Sequence, residues 1–411
     1  MMKIAIIGAG AAGLMCACML DKRHDIVVFE KNEMSGKKLL ITGGGRCNLT
    51  NLCEPDIFLK SVAQNARFFE YALTGFSPQN TVDFFEKELG VAIQIENGNR
   101  VFPSNGKALR VRNAMLSYAI NKGVKMNMNS LLDIKVSNHS FLKVADRFEI
   151  CVGEANVGQK FDVLIVATGG VSYPQTGSTG DGYAIARSFG HEVVEPRASL
   201  CGLVLKQPAG FEGTSIRCDA EILNEQLSPV AAKETGDMLF TKNGVSGPLI
   251  HKLTAKFKGQ SIRNHCLKIN FAPNLNEKIF YSALKLSAND KPFYLLRKFV
   301  PINIANLLIA ASNLPNKKNC SSLTKQEQEK LFKVLTGAIV TIADFESITT
   351  ATITRGGIDI KNIYNKTMQS TLIKNLYFIG EVLDVDALSG GFNLQIAFST
   401  AAMAAKAINS L

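Results

Sequence analysis

The 411-residue sequence lacks several features that would assign it to a simple class. It has no low-complexity tract, and 46% apolar with 20% charged residues exclude a disordered or fibrous chain. No run of 18 apolar residues occurs, so no transmembrane helix is expected. The uncharged segment from Ile4 to Leu20 imitates a secretory signal, but its glycines have turn spacing and no cleavage region follows. The length predicts two or three domains.

Paired cysteines and metal-binding spacings are also missing. The nine cysteines form neither a Cys-x-x-Cys nor a Cys-x4-Cys pair, which argues against a dithiol oxidoreductase. Their odd number argues against a secreted disulfide framework, so we expect a reduced, cytoplasmic protein. The five histidines have no paired metal-ligand spacing, so no metal site is expected.

The amino-terminal segment carries a complete dinucleotide-binding pattern. The apolar strand-like run Lys3 to Ile7 is followed by Gly8-Ala9-Gly10-Ala11-Ala12-Gly13, a helical segment, and a second strand-like run that ends at Glu30. In this pattern Gly8 permits a tight turn, Gly10 lets the backbone approach a pyrophosphate, and Gly13 permits close helix packing. Glu30 is placed to accept hydrogen bonds from a ribose diol and disfavours a 2′-phosphate. A glycine-rich turn without a ligand is the alternative, which the surrounding strand–helix–strand context disfavours.

Two later segments bear on whether the ligand is FAD or NAD. One runs from Phe161 to Val166 and ends in Ala167-Thr168-Gly169; the other runs from Leu376 to Ile379 and ends in Gly380-Glu381. With the first pattern they resemble the glutathione-reductase type of FAD fold, in which the late acidic residue meets the ribitol of FAD. The same resemblance directs the positive end of the last helix at the flavin pyrimidine. No second Gly-x-Gly-x-x-Gly occurs, so a separate NAD(P)H domain is not expected.

Further strings are more specific than a general FAD fold. They are GKKLLITGGGRCNLTN at 36–51, RVFP at 100–103, GGVSYP at 169–174, LFT at 239–241, GVSGP at 244–248, TRGGI at 354–358, GEVLDVD at 380–386 and GGFNLQ at 390–395. In this order they resemble the BaiN/RdsA-like family of bacterial FAD-dependent oxidoreductases over essentially the whole chain. Phe392, where Tyr is common, and Ala401-Ala402, in place of a usual glycine, depart from the family pattern.

The cofactor expectation is FAD, with NAD(P)H as electron donor. The residues that we expect to bind FAD are Gly8, Gly10, Ala12, Gly13, Glu30, Lys31, Lys38, Gly45, Arg46, Thr168, Gly169, Gly380, Glu381, Gly391, Asn393 and Leu394.

The order of these motifs predicts an α/β protein with a split domain. The late strand must return to the sheet that begins at Lys3, so a glutathione-reductase-type, Rossmann-like FAD domain is expected at 1–192 and 350–411. Short alternating runs predict an inserted β-barrel at 193–275 and 335–349. Apolar residues at helical spacing predict a helical subdomain at 276–334. The family resemblance implies the same kind of insert.

The net charge of +11 is unevenly distributed. Residues 193–349 hold 20 Lys and Arg against 13 Asp and Glu, and no acidic residue lies between Asp237 and Glu277. A basic insert suits an RNA substrate, because phosphate neutralisation supplies sequence-independent affinity. The alternative is a solvated face on which Lys discourages strand pairing. The predicted RNA-binding residues in this window are Lys242, Lys252, Lys256, Lys258, Arg263 and Lys268.

The resemblance implies reduction of a conjugated carbon–carbon double bond. The family activities are reduction of an unsaturated 3-oxo bile acid and conversion of a 23S rRNA uridine to dihydrouridine. In both, a hydride from the flavin attacks the β-carbon of an enone and an acid protonates the α-carbon. An RNA base must also leave its stack to react.

Two residues are candidates for the acid. Cys47 stands beside Arg46 in the glycine-rich loop, and Tyr173 follows the Ala-Thr-Gly strand. For each of them a packing role is the alternative. Arg46 is a candidate ligand of the pyrophosphate or of a substrate carbonyl. Thr241 and Ser246 are candidates for residues that face the flavin. Three functions follow: an rRNA uridine reductase, which we favour, a small-molecule ene-reductase, and a flavin-bearing RNA- or ribosome-binding factor without turnover.

Overall fold

A computed structural model describes residues 1–130, 142–144, 147–151, 158–207, 211–259, 261–314 and 318–411. The chain divides into two units. Met1–Ala198 with Ile348–Leu411 form one, here called the Rossmann unit, and Ser199–Ser347 form the other, here called the insert unit. No helix among the described residues is long and apolar enough to cross a membrane. The finer domain limits 1–192 with 350–411, 193–275 with 335–349, and 276–334 stay a prediction.

The strands and helices are numbered in chain order. The strands are β1 Lys3–Ile7, β2 Asp25–Glu30, β3 Thr50–Asn51, β4 Val62–Gln64, β5 Ile93–Glu96, β6 Arg100–Pro103, β7 Lys125–Met128, β8 Leu142–Val144, β9 Arg147–Cys151, β10 Gly158–Phe161, β11 Val163–Val166, β12 Val193–Ser199, β13 Leu203–Leu205, β14 Ser215–Leu223, β15 Glu234–Thr241, β16 Gly244–Ser246, β17 Cys266–Asn270, β18 Ala338–Phe345, β19 Ile353–Ile358, β20 Leu376–Phe378 and β21 Asp386–Ala387. The α-helices are α1 Ala11–Met19, α2 Lys37–Gly45, α3 Pro55–Ser61, α4 Ala66–Gly75, α5 Pro78–Asp83, α6 Ala108–Asn121, α7 Asp181–Ser188, α8 Pro248–Lys256, α9 Glu277–Leu286, α10 Pro292–Leu296, α11 Ile302–Ser312, α12 Lys325–Gly337 and α13 Phe392–Asn409.

A parallel five-stranded sheet forms the centre of the Rossmann unit, in the order β20-β11-β1-β2-β7. The strands are short runs of β-branched and other apolar residues because helices cover a parallel sheet on both faces. The β11 residues Val163–Val166 are wholly buried, as are Ile4–Ile7 of β1. The strand near the carboxyl terminus, β20, lies beside β11, so the α/β fold with a split Rossmann-like domain is confirmed.

The insert unit contains the predicted β-barrel. Six antiparallel strands close in the order β13-β16-β15-β14-β17-β18. Inward apolar side chains of the barrel and of α9 to α12 belong to one buried cluster, which includes Phe240, Ile269, Phe280 and Leu331. Helix α12 begins with a capping box, since Thr324 and Glu327 each accept the backbone N–H of the other.

A buried ion pair joins two motifs of the Rossmann unit. The Arg355 guanidinium, on β19, donates to both carboxylate oxygens of Asp386, on β21, at 2.9 and 2.7 Å. Both side chains are almost completely buried. A paired, hydrogen-bonded charge is tolerated in such a place, whereas one left alone is strongly destabilising.

We predict that Asp386→Ala lowers the free energy of unfolding by about 3–5 kcal/mol, because the Arg355 cation stays buried without this carboxylate. The matched control is Asp25→Ala, which removes the partner of Lys125 in a more exposed 2.7 Å pair. That change should cost less than about 1 kcal/mol. Urea unfolding of both variants measures the difference, and equal midpoints would contradict the prediction.

Candidate cofactor site

The turn between β1 and α1 has no room for side chains at two of its three glycines. Gly8 has φ +102°, and a Cβ there would lie 2.6 Å from the carbonyl oxygen of Ala167. A Cβ on Gly13 would overlap the carbonyl oxygen of Gly8. A Cβ on Gly10, in contrast, would meet nothing within 4 Å. Gly8 and Gly13 therefore permit the protein's own packing, whereas Gly10 leaves the helix terminus open to a ligand.

Glu30 lies at the end of β2, directly beside this turn. One carboxylate oxygen accepts the N–H of Ala9 at 2.8 Å, and the other accepts the backbone and side-chain amide groups of Asn32 at 2.9 and 2.7 Å. The side chain is buried. These three bonds orient the carboxylate and leave about one acceptor position for a sugar hydroxyl, since an ionised carboxylate has about four.

The two predicted lysines are both paired with carboxylates. Lys31 Nζ lies 2.6 Å from Asp181 and also contacts the hydroxyl of Thr179. Lys38 Nζ donates to Glu381 at 3.1 Å and to Ser172 Oγ at 3.0 Å. These ammonium groups therefore hold loops of the site together.

Glu381 is the centre of a second hydrogen-bond cluster, after β20. Besides the Lys38 ammonium it accepts the N–H of Thr354 at 2.9 Å. The Thr354 hydroxyl in turn accepts the N–H groups of Val171 and Ser172 at 2.9 and 3.1 Å. The loop that begins at Gly169 is thereby fixed against the GEVLDVD segment.

The carboxyl ends of the neighbouring strands β1, β11 and β20 meet at one edge of the sheet. Thr168 and Gly169 follow β11, and Gly380 follows β20 with φ +76°. A Cβ on Gly380 would lie 2.7 Å from Cβ of Ala12, so this strand end packs directly on α1. The hydroxyl of Thr168 is buried and has no hydrogen-bond partner in the described chain. This edge is where an open α/β sheet holds its ligand.

The amino terminus of α13 approaches the end of the glycine-rich string at 36–51. Gly391 caps the helix with φ +98°, and a Cβ there would overlap the carbonyl oxygen of Thr50. Asn51 Nδ2 donates to the Gly390 carbonyl at 3.0 Å. Asn48 Oδ1 and Thr50 Oγ1 are buried here without hydrogen-bond partners among the described residues.

Asn393 and Leu394 belong to the first turn of α13. The Asn393 amide accepts the N–H of Ala387 at 2.9 Å and donates to its carbonyl at 2.8 Å, so this side chain holds the preceding segment. The backbone N–H groups of a first helical turn have no intrahelical acceptor. Any contribution of Asn393 or Leu394 to an anionic ligand would come from these groups and the helix dipole.

Arg46 and Gly45 lie at the end of the kinked helix α2. Gly43, Gly44 and Gly45 all have positive φ, between +57° and +82°. The Arg46 guanidinium pairs with Glu96 and lies 4.2 Å from the ring centroid of Phe102. The structure thus engages Arg46 with protein groups, and its predicted contact with a pyrophosphate or a substrate carbonyl stays a prediction.

The two candidate acids differ in exposure. The Cys47 side chain is wholly buried, and burial raises the pKa of its thiol to about 12. Tyr173 is half-buried, and its N–H donates to the Thr349 carbonyl at 3.1 Å. Both residues have left-handed backbone conformations, with φ of 60° and 50°. Of the two residues, only Tyr173 is partly exposed.

Four of the six predicted RNA-binding residues are paired with carboxylates of the insert unit. Lys252 and Lys256 both contact Glu234, Lys268 lies 2.8 Å from Glu221, and Arg263 lies 2.7 Å from Asp344. The other two, Lys242 and Lys258, are exposed.

Thr241 and Ser246, also in the insert unit, end β15 and β16. Ser246 Oγ lies 3.1 Å from Nε2 of His251, whose pKa is lowered by burial. Within the described part of the chain no group of three or more His, Cys, Asp or Glu side chains is arranged to hold a metal ion.

The site contains polar groups that the sequence alone did not single out. Asn48, Thr50 and Thr354 lie in the strings that carry the family resemblance, so the signal was present. Which of those positions has an unpaired buried oxygen follows only from tertiary packing.

The residues of the Rossmann unit fit FAD. Four features match the pyrophosphate, ribose and ring portions of that molecule. They are the open helix terminus at Gly10, the oriented Glu30 carboxylate, the Thr168 hydroxyl without a partner among the described residues, and the start of α13, where no side chain caps the helix. This fold and site define an FAD-dependent oxidoreductase.

The chain belongs to the HI0933-like family, because the family model described as HI0933-like protein Rossmann domain matches residues 2–407. It is 31% identical to a ribosomal RNA dihydrouridine synthase of Haemophilus influenzae, over 98% of each chain. It is 28% identical to the ribosomal RNA dihydrouridine synthase of Escherichia coli, over 96% of this chain and 95% of that one. It is equally 28% identical to a 3-dehydro-bile acid delta(4,6)-reductase of Clostridium scindens, over 99% of each.

We predict that Gly10→Val abolishes stoichiometric FAD binding and leaves the apoprotein as stable as the parent, because a Cβ at this position meets no protein atom within 4 Å. Gly13→Ala is the contrasting variant, since its Cβ overlaps the Gly8 carbonyl and must destabilise the apoprotein as well. The flavin-to-protein absorbance ratio and apoprotein melting temperatures measure the two effects. A Gly10→Val protein that retains a full complement of FAD would contradict the assignment of this turn.

Proposed function

We propose that this protein reduces a uridine of 23S rRNA to dihydrouridine, with FAD as cofactor and NAD(P)H as electron donor. The relatives support reduction of a carbon–carbon double bond, but their names divide between rRNA and a bile acid at similar identity. The observation that favours RNA is the charge of the insert. Residues 199–347 hold 19 Lys and Arg against 12 Asp and Glu, a net charge of +7.

The reaction adds one hydride and one proton across the 5,6 double bond of uracil. FAD held by the turn at Gly10, by Glu30 and by the start of α13, once reduced by NAD(P)H, would supply the hydride to carbon 6. The protein must place the base, withdraw electron density from the carbonyl group conjugated with this bond, and protonate carbon 5. Oxidation of NAD(P)H to NAD(P)⁺ provides the hydride with both electrons, and the proton added to carbon 5 comes from solvent through the acid, so electrons and protons balance.

We infer that the Tyr173 hydroxyl donates the proton, because Tyr173 is the partly exposed one of the two candidate residues. The Cys47 thiol stays protonated at neutral pH, since its pKa is far above 7, but its complete burial favours a packing role. A phenol that delivers a proton in the transition state contributes about 10²- to 10⁴-fold to a rate.

Tyr173→Phe should therefore lower the rate of uridine reduction by at least about 100-fold, with unchanged FAD content and unchanged reduction of the flavin by NAD(P)H. Cys47→Ala is the control, and it should retain most of the rate while losing some stability to the cavity it creates. The opposite ranking would assign the proton to Cys47. If neither variant, nor the double variant, affected rRNA modification, both residues would be excluded as the acid.

The decisive test of the function is the modification map of 23S rRNA from a strain that lacks the gene. We expect mass spectrometry to show one dihydrouridine fewer, and complementation with the intact gene to restore it. Complementation with the Gly10→Val variant should fail, because it lacks the cofactor. An unchanged map in the deletion strain would refute the proposal.

A small-molecule ene-reductase is the second candidate, favoured by the full-length similarity to the bile-acid reductase. Purified protein with NAD(P)H would then reduce unsaturated 3-oxo steroids rapidly without RNA. An rRNA uridine reductase should show little such turnover.

A further inference from the structure

The positive charge of the insert unit is concentrated on its helices. The barrel segments 199–275 and 335–347 hold nine Lys and Arg against eight Asp and Glu, a net charge of +1. Residues 276–334, which contain α9 to α12, hold ten against four, a net charge of +6. Four of the six cations in the acid-free window are therefore paired with carboxylates from outside the window, whereas the helical segment keeps a larger excess of positive charge.

Five basic side chains extend along α9 and around α10. Lys278 and Lys285 are exposed on α9, and Lys291, Arg297 and Lys298 are exposed on either side of α10. In the described part of the chain none of the five forms an ion pair with a carboxylate. The acidic neighbours in this stretch, Glu277 and Asp290, are fewer than the cations.

A hydrogen bond links the cations beside α10 to the end of α9, which carries the other cations. Lys298 Nζ donates to the hydroxyl of Ser287, the capping residue at the carboxyl end of α9, at 2.8 Å. Lys285 lies in the last turn of the same helix. The Lys298 ammonium is therefore held close to the helix end that also carries Lys285, where the dipole favours cations.

An exposed aromatic ring lies among these cations. Tyr294 is 58% exposed, and its backbone N–H donates to the Lys291 carbonyl at 2.9 Å. Its ring packs edge-to-face on Phe293, with centroids 5.3 Å apart, and Phe293 contacts the buried cluster of the unit. A ring supported from behind and exposed to solvent provides a face on which a base can stack.

We propose that α9 and α10 bind a single-stranded segment of RNA. Lys278, Lys285, Lys291, Arg297 and Lys298 contact its phosphates, and Tyr294 stacks on an unpaired base. Cations with an aromatic platform fit an unpaired strand, because duplex RNA presents phosphates and 2′-hydroxyls but no free base face. The inference rests on the proposed function, and it accords with the need to unstack the target uridine.

The test compares two charge reversals of equal size. Lys285→Glu with Lys291→Glu forms the helix variant, and Lys242→Glu with Lys258→Glu forms the barrel variant; all four lysines are exposed. The probe is a fluorescein-labelled, single-stranded 20-nucleotide RNA rich in uridine, measured by anisotropy over a range of salt concentrations. Melting temperature, FAD content and flavin reduction by NAD(P)H should equal the parent's in both variants.

The helix variant should lose at least about tenfold in affinity at 0.1 M salt and reduce the salt slope by about 1.4, as expected for two lost phosphate contacts. Tyr294→Ala should also weaken binding about tenfold, but without a change in salt slope. The barrel variant changes Lys242 and Lys258, two exposed members of the predicted RNA-binding set that lie outside α9 and α10, and it should lose clearly less affinity than the helix variant. A barrel variant that loses more affinity than the helix variant would overturn the proposal, as would a duplex probe that binds as tightly as the single strand.

Assays on rRNA from the deletion strain separate this surface from the function. If the parent reduces the rRNA uridine and the helix variant does so at the same rate and substrate concentration, the proposed RNA-binding role of α9 and α10 is refuted. The proposed function is then still supported. If the parent neither binds nor modifies RNA, the function fails and this inference fails with it. Slower modification by the helix variant, with flavin reduction intact, supports both.

Discussion

The close approach of backbone to backbone at the end of β1 is the constraint on which the cofactor site depends. Gly8 and Gly13 let the turn pack against the Ala167 carbonyl and against itself, which no Cβ would allow. This contact fixes where α1 begins relative to β11. Glu30 at the end of β2 then accepts the N–H of Ala9, and the end of β20 packs against Ala12. The remaining ligand-facing groups are positioned by these contacts.

The charged residues of the site are arranged before any ligand arrives. Glu30 accepts hydrogen bonds from Ala9 and Asn32, and Glu381 from Lys38 and Thr354. Orienting these carboxylates in the folded protein lowers the ordering cost of binding. Lys31 and Lys38, which we expected from the sequence to bind FAD, are bound to the protein carboxylates Asp181 and Glu381. The Lys38 ammonium offsets the charge of Glu381, the acid that the family resemblance assigns to the ribitol.

Local patterns predicted the fold well because the first motif is formed by contacts over about thirty residues. Strand, turn, helix, strand and Glu30 follow one another in the chain, and the split domain follows from the return of β20 to the sheet. The chemistry of individual positions was less predictable. Cys47 beside Arg46 suggested a reactive thiol, yet packing buries it completely and raises its pKa. Asn48 and Thr50 become candidate site residues only because α13, more than 300 residues later in the chain, approaches them.

The charge distribution shows why a linear window is a poor guide to a binding surface. Residues 238–276 contain no acid, but they form strands and a helix whose neighbours carry Glu221, Glu234 and Asp344. Antiparallel pairing places lysines opposite carboxylates from distant positions, as Lys268 on β17 lies opposite Glu221 on β14. A helix such as α9, with an exposed face, has no such partner strand. Cations that keep their full charge for a phosphate backbone are therefore more readily carried by the helices of this insert than by its barrel.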